Sequence, residues 1–137
     1  MIKKIILLLA LSFTVTLSQE YNLKIIVKNL EGREGNLSIG LFNNEKGFPE
    51  KGFGQAGVDL PIQDSTAEYT FTNLENGIYA LAIYNDENCN GELDKSIFGW
   101  PTEDYIFSNY AEGSFGPPTF EEASFLLDKD LEIILEF

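Results

Sequence analysis

Apolar and polar residues alternate with period two over several short stretches of this chain, the pattern of strands that bury one face. Leu23, Ile25 and Val27 share one face of the first stretch. Leu37, Ile39 and Leu41 share one face of the second, after a turn at Glu31-Gly32-Arg33-Glu34-Gly35. Val58, Leu60 and Ile62 form a weaker third run that contains Pro61. Proline has no N–H to give to a ladder, so this strand is expected at a sheet edge. Tyr69 and Phe71 mark a fourth strand, and the nearly continuous apolar run Ile78 to Tyr84 a central fifth. The last strand carries Leu131, Ile133, Leu135 and Phe137. A short strand over 123–127 is expected to pair with it across Asp128-Lys129-Asp130. No helical period runs beyond a turn or two, and the one capping-box candidate is Thr119-Phe120-Glu121-Glu122.

About seven short strands punctuated by Gly, Asn and Asp predict an all-β fold: a single immunoglobulin-like antiparallel β-sandwich. Leu74-Glu75-Asn76-Gly77-Ile78-Tyr79 has the form of a tyrosine corner, in which a phenol hydroxyl reaches back to the backbone and pins the crossover between sheets. A plain hairpin turn before an apolar strand is the alternative.

The chain begins with Lys3 and Lys4, then an apolar run from Ile5 to Val15, then Thr16-Leu17-Ser18. That run is too short for a membrane span, which takes about 20 residues. It has the order of a secretory signal: positive start, apolar middle, small-residue exit. Residues 1–18 are expected to be a signal peptide cleaved after Ser18, leaving 19–137 as one domain in the periplasm or outside the cell. Removing Lys3 and Lys4 from 9 basic residues leaves 7 against 22 acidic ones, a net charge of −15. Nucleic acid and anionic lipid, which are read through Lys and Arg, are poor partners for such a surface. No membrane span remains after cleavage, and long acidic loops argue against a transmembrane barrel. The chain has no histidine, which removes His-based triads and the usual zinc sites. Its single cysteine, Cys89, cannot close an internal disulfide, and without a histidine it is a poor nucleophile.

The chemistry-bearing segment is Asp86-Glu87-Asn88-Cys89-Asn90-Gly91-Glu92-Leu93-Asp94. Written D-x-N-x-N-G-x-L-D, it matches the first nine positions of an EF-hand-type calcium loop. Calcium takes six to eight hard oxygens at about 2.3–2.6 Å, and side chains at positions 1, 3 and 5 of a tight loop aim their oxygens at one point. Candidate ligands are therefore Asp86, Asn88, Asn90, Glu92 through its backbone carbonyl, and Asp94. Gly91 permits the turn, Leu93 is expected to anchor the loop in the core, and Cys89 is expected to face solvent. Position 12 is Ile97 rather than the usual bidentate acid, and the run-in is a strand, so this is not an EF-hand. Glu103 or Asp104 could close the shell. Few charged ligands imply modest affinity, about 10⁻⁴–10⁻³ M. The plain alternative is a hairpin turn at Asn90-Gly91.

Asn76-Gly77-x-Tyr79-Ala80, the acidic loop, Phe98-Gly99-x-Pro101-x-Glu103, Phe107-Ser108-Asn109 and Phe115-Gly116-Pro117-Pro118-x-Phe120 together resemble a bacterial exported family, domain of unknown function 2141. The resemblance spans essentially all of 19–137. It implies a sandwich of the transthyretin or carboxypeptidase-regulatory sort, and no established activity.

Residues 98–120 hold seven aromatic side chains. They are expected to fold back as a satellite core, or else to form a platform for sugar or peptide with Trp100 and Tyr110 exposed. The Gly-rich stretch 47–54 could face that platform, or be a surface loop. Three functions compete: a calcium-stabilised envelope module with an envelope protein or glycan as partner, an accessory module that binds carbohydrate or peptide, and a hydrolase using paired carboxylates. No recognisable catalytic constellation favours the enzyme.

Overall fold

The computed structural model describes residues 18–137, so the expected signal peptide lies outside the described residues but for Ser18. Among the described residues, eight strands form two sheets. They are β1 (Glu20–Lys28), β2 (Asn36–Phe42), β3 (Ala56–Pro61), β4 (Thr66–Glu75), β5 (Gly77–Asp86), β6 (Tyr105–Phe107), β7 (Phe125–Leu127) and β8 (Leu131–Glu136), with one short helix, α1 (Phe120–Ala123), before β7. The first sheet has the order β4-β1-β8. The second has the order β3-β2-β5-β6, and β7 adds to β5 as well.

The core lies between the sheets and is built by the alternation in the sequence. Leu23, Ile25 and Val27 of β1, Phe71 of β4 and Leu135 of β8 meet Leu37, Ile39 and Leu41 of β2 and Tyr79, Leu81 and Ile83 of β5. Each fully buried Leu or Ile contributes about 1.5–3 kcal/mol by leaving water. β3 is at a sheet edge, where Pro61 is tolerated. β5 is central and pairs with β2, β6 and β7.

Two pairings differ from the sequence expectation. β7 does not form a hairpin with β8. It pairs with the start of β5, Tyr79 opposite Phe125, and the chain then crosses to the other sheet, where β8 runs parallel to β1 from Leu23/Leu131 to Lys28/Glu136. The sandwich is thus not wholly antiparallel. The crossing lets Leu127 and Leu135 enter the core from opposite sheets, both essentially fully buried, which a hairpin could not do. Asp130 fixes the crossing by accepting a hydrogen bond from the Asn22 backbone N–H at 2.8 Å.

The Tyr79 hydroxyl donates to the Glu75 carbonyl at 2.9 Å, so the corner is a tyrosine corner and not a plain turn. Tyr79→Phe is expected to lower unfolding free energy by about 1 kcal/mol, the net worth of one such bond, as measured by urea titration. α1 starts on a complete capping box: the Thr119 side chain accepts from the Glu122 N–H, and Glu122 accepts from the Thr119 N–H.

A second, smaller core lies on the outer face of the five-stranded sheet. Phe48 packs its ring against Phe42, Phe107 and Phe120, at centroid distances of 5.1, 5.9 and 5.8 Å. The Gly-rich 47–54 stretch is thereby tied to the sheet by its Phe48. Buried Ser108 joins the layers, accepting from the Leu81 N–H at 2.9 Å and donating to the Ala123 carbonyl.

Candidate metal centre

The acidic loop leaves β5 at Asp86 and returns toward β6 through Glu103. Its base is buried and its tip exposed: Asp86 and Glu103 are almost fully covered, whereas Glu87, Asn88, Cys89 and Asn90 are in solvent. Cys89 is exposed as expected, with φ 58°. Leu93 is half-buried and belongs to neither core cluster, so the loop is not anchored by it.

Polar bonds do the anchoring. Asp86 accepts from the Asn90 N–H at 3.1 Å with one oxygen and from the Gly91 N–H at 2.8 Å with the other. Asn88 accepts from the Asn90 N–H at 3.0 Å, and Asn90 from the Glu92 N–H at 2.9 Å. The chain therefore wraps around the side-chain oxygens at positions 1, 3 and 5. Gly91, with φ 82°, takes the left-handed turn that this wrapping needs. Asp94 closes the ring of contacts: the Asn88 amide donates to one of its oxygens at 2.6 Å and the Asn90 amide to the other at 2.8 Å. The side chains of Asn88, Asn90 and Asp94 thus converge within one turn, next to Asp86.

Glu103 lies beneath this turn. One carboxylate oxygen accepts from the Glu87 N–H and the other from the Asp94 N–H, both at 2.9 Å. It bridges the two ends of the nonapeptide, so its place is that of a brace. Asp104 is taken by Arg33 at 2.7 Å, and its carbonyl accepts from the Asn85 N–H. The turn after β1 supports the same base. Asn85, fully buried, donates to the Glu34 carbonyl at 2.8 Å, and the Gly35 backbone sits against Asp86 and Glu87. Sequence reasoning missed the roles of Asn85, Arg33 and Gly35, because the contacts that join the turn after β1 to the base of the loop bridge some 50 residues or more.

Among the described residues, no group of three His, Cys, Asp or Glu side chains converges closely enough to hold a metal by those groups alone. The loop's set mixes two carboxylates of its own with two neutral amides. Glu92 is exposed and offers only its backbone to the ring.

The aromatic segment divides. Phe107 and Phe120 join the small core, while Phe98, Trp100 and Phe115 stay exposed. Tyr110 is also exposed, although its hydroxyl accepts from the Glu136 N–H at 3.1 Å. It lines a shallow cleft of about 300 Å³ with Tyr105, Phe107 and Pro118, and Trp100 is not part of that lining.

No helix among the described residues is long and apolar enough to cross a membrane. No curated protein and no solved structure matches the chain. Residues 25–134 match the model of a family described as "Uncharacterized protein conserved in bacteria", and the chain belongs to that family, DUF2141.

Proposed function

We propose that this protein is an exported β-sandwich of the bacterial cell envelope that binds one calcium ion in the Asp86–Asp94 loop and is stabilised by it. The observation that carries this reading is the wrapping of the loop backbone around the side-chain oxygens of Asp86, Asn88 and Asn90, with Asp94 drawn into the same turn. An amide carbonyl has two lone pairs and a carboxylate about four. After accepting their backbone N–H groups, Asn88 and Asn90 each keep one lone pair and Asp86 keeps two. The loop holds these oxygens in place before a cation arrives, which lowers the ordering cost of binding. On loading, Asp94 would exchange its two amide N–H donors for the ion. Glu103 would hold the loop ends together from below, and a water or the Glu92 carbonyl would complete the shell.

The net charge of −15 after signal cleavage favours cations at the surface. The N-terminal pattern of 1–18 supports export, and millimolar sites are characteristic of extracellular calcium modules. Calorimetric titration should give a single calcium site with a Kd of about 10⁻⁴–10⁻³ M and a much smaller response to magnesium, which demands a tighter octahedral shell. Absence of a saturable calcium heat, or equal magnesium binding, would overturn the proposal.

A further inference from the structure

Residues 95–102, between the acidic loop and β6, hold Lys95 and no acidic side chain, in a chain with 22 acids. They fold as a tight hairpin. The Thr102 N–H donates to the Asp94 carbonyl at 2.8 Å, Lys95 bridges to Pro101, and the Ser96 N–H donates to the Trp100 carbonyl at 2.8 Å. The Gly99 N–H closes the turn on the Ser96 carbonyl at 2.9 Å.

The tip of this hairpin is apolar and uncovered. Ile97 is 95% exposed, Phe98 82% and Trp100 62%. The hydrogen bonds below them hold the turn in shape, so this is not the exposure of a frayed segment. None of the three belongs to either core cluster, and none lines the cleft at Tyr110. Large apolar side chains left in water gain free energy by leaving it, and an apolar patch rimmed by polar groups marks a docking surface. The carboxylates at the base of the hairpin are turned away from the tip's needs. Both Asp94 oxygens take the Asn88 and Asn90 amides, and Glu103 is buried on two backbone N–H groups.

Area and charge decide the occupant. A stable protein partner or second copy takes about 800 Å² from each side. Aromatic side chains bury about 150–250 Å² each, so one turn with two rings and an isoleucine falls well short. A bilayer interface needs no matching surface, and its hold grows with each apolar group that enters it. Indole rings sit at headgroup level. Lys95, whose ion-pair partner among the described residues is Glu50 at 3.9 Å, can lay its stem along the apolar tip and its ammonium against lipid phosphate. The net charge of −15 after signal cleavage opposes an anionic surface. We propose that the 95–102 hairpin docks on a zwitterionic phospholipid bilayer by inserting Ile97, Phe98 and Trp100 into its interface.

Insertion needs no metal, so the test is run in chelator and its outcome is separate from the calcium reading. The protein is used without residues 1–18, an apolar segment that would itself bind lipid; both sheets are built without it. Trp100 is the single tryptophan, so its fluorescence reports on the tip alone. Phosphatidylcholine vesicles should shift that emission to the blue, and phosphatidylcholine brominated on its acyl chains should quench it. The double variant Ile97→Ser, Phe98→Ser keeps the reporter and removes two side chains that pack in neither core. Its affinity for sedimented vesicles should fall at least about 10-fold, the worth of one buried apolar side chain. Phe115→Ser, which removes a 97% exposed ring from another loop, should bind as wild type does. The proposal is overturned if vesicles leave the Trp100 emission unchanged, if the double variant binds as wild type does, or if Phe115→Ser loses as much. A blue shift that grows with protein concentration and ignores vesicles would assign the tip to a second copy and overturn it too.

Discussion

Gly35→Ala is expected to destabilise the protein by about 2–5 kcal/mol and to weaken calcium binding with it. Gly35 has φ +83°, and a Cβ there would stand 2.1 Å from the Asp86 carbonyl oxygen and 2.7 Å from the Glu87 Cα. The left-handed conformation costs a non-glycine residue roughly 1–2 kcal/mol. Relief of backbone overlap adds about 1–3 kcal/mol more, as for overpacked sites generally. No rotamer change can relieve it, because both obstructing atoms are main chain. The displaced segment is the entry to the loop, so Asp86 moves with it. Gly32, three residues earlier, separates the two terms: its φ is +75° but nothing lies within 4 Å of its Cβ position. Gly32→Ala should cost only the conformational part, about 1–2 kcal/mol, and leave calcium binding unchanged. Equal urea midpoints for the two variants would show that Gly35 does not press on the loop.

Glu103→Ala is the second large effect, about 3 kcal/mol or more. Glu103 is 6% exposed, and its two oxygens take the Glu87 and Asp94 N–H groups. Hydrogen bonds to a charged group are worth about 1.5–3 kcal/mol each, partly offset by the cost of keeping the carboxylate out of water. Glu103→Gln keeps one acceptor and points an N–H at the other donor, so it should recover part of the loss. Asp104→Ala, one residue on, removes an exposed ion pair with Arg33 and should cost at most about 1 kcal/mol. Urea unfolding of the three variants checks the order. If Glu103→Ala is as mild as Asp104→Ala, the brace is not what holds the loop ends.

These two positions mark the limit of what local pattern conveys. Period-two alternation in Leu23/Ile25/Val27 and Leu37/Ile39/Leu41 found β1 and β2, because one buried face leaves a periodic trace. Pro61 placed β3 at an edge, and the Tyr79 corner and Thr119 capping box were legible as short motifs with fixed spacing. β6 was not, since three residues within an aromatic run hold no alternation to read. The partner of β8 was misjudged for a different reason. Parallel pairing with β1 joins segments about a hundred residues apart, and the nearby Asp128-Lys129-Asp130 suggested a hairpin that core filling by Leu127 and Leu135 forbids. In the loop, Asp86, Asn88, Asn90 and Asp94 were nominated together by spacing and lie together. Glu103 was nominated as a group that could close the shell; its bracing bonds to the Glu87 and Asp94 N–H groups join the two ends of the loop, and nothing in its sequence context shows them.

The most direct test of the calcium reading is the melting temperature of the protein in about 10 mM calcium against the same protein in chelator. A ligand that binds only the folded state stabilises it by RT ln(1 + [L]/Kd), about 2.7 kcal/mol at a hundredfold excess over a Kd near 10⁻⁴ M. For a domain of this length, that corresponds to a rise of roughly 5–15 °C, and magnesium at the same concentration should give much less. Identical melting in calcium and in chelator would contradict the account and leave the Asp86–Asp94 segment a hydrogen-bonded turn.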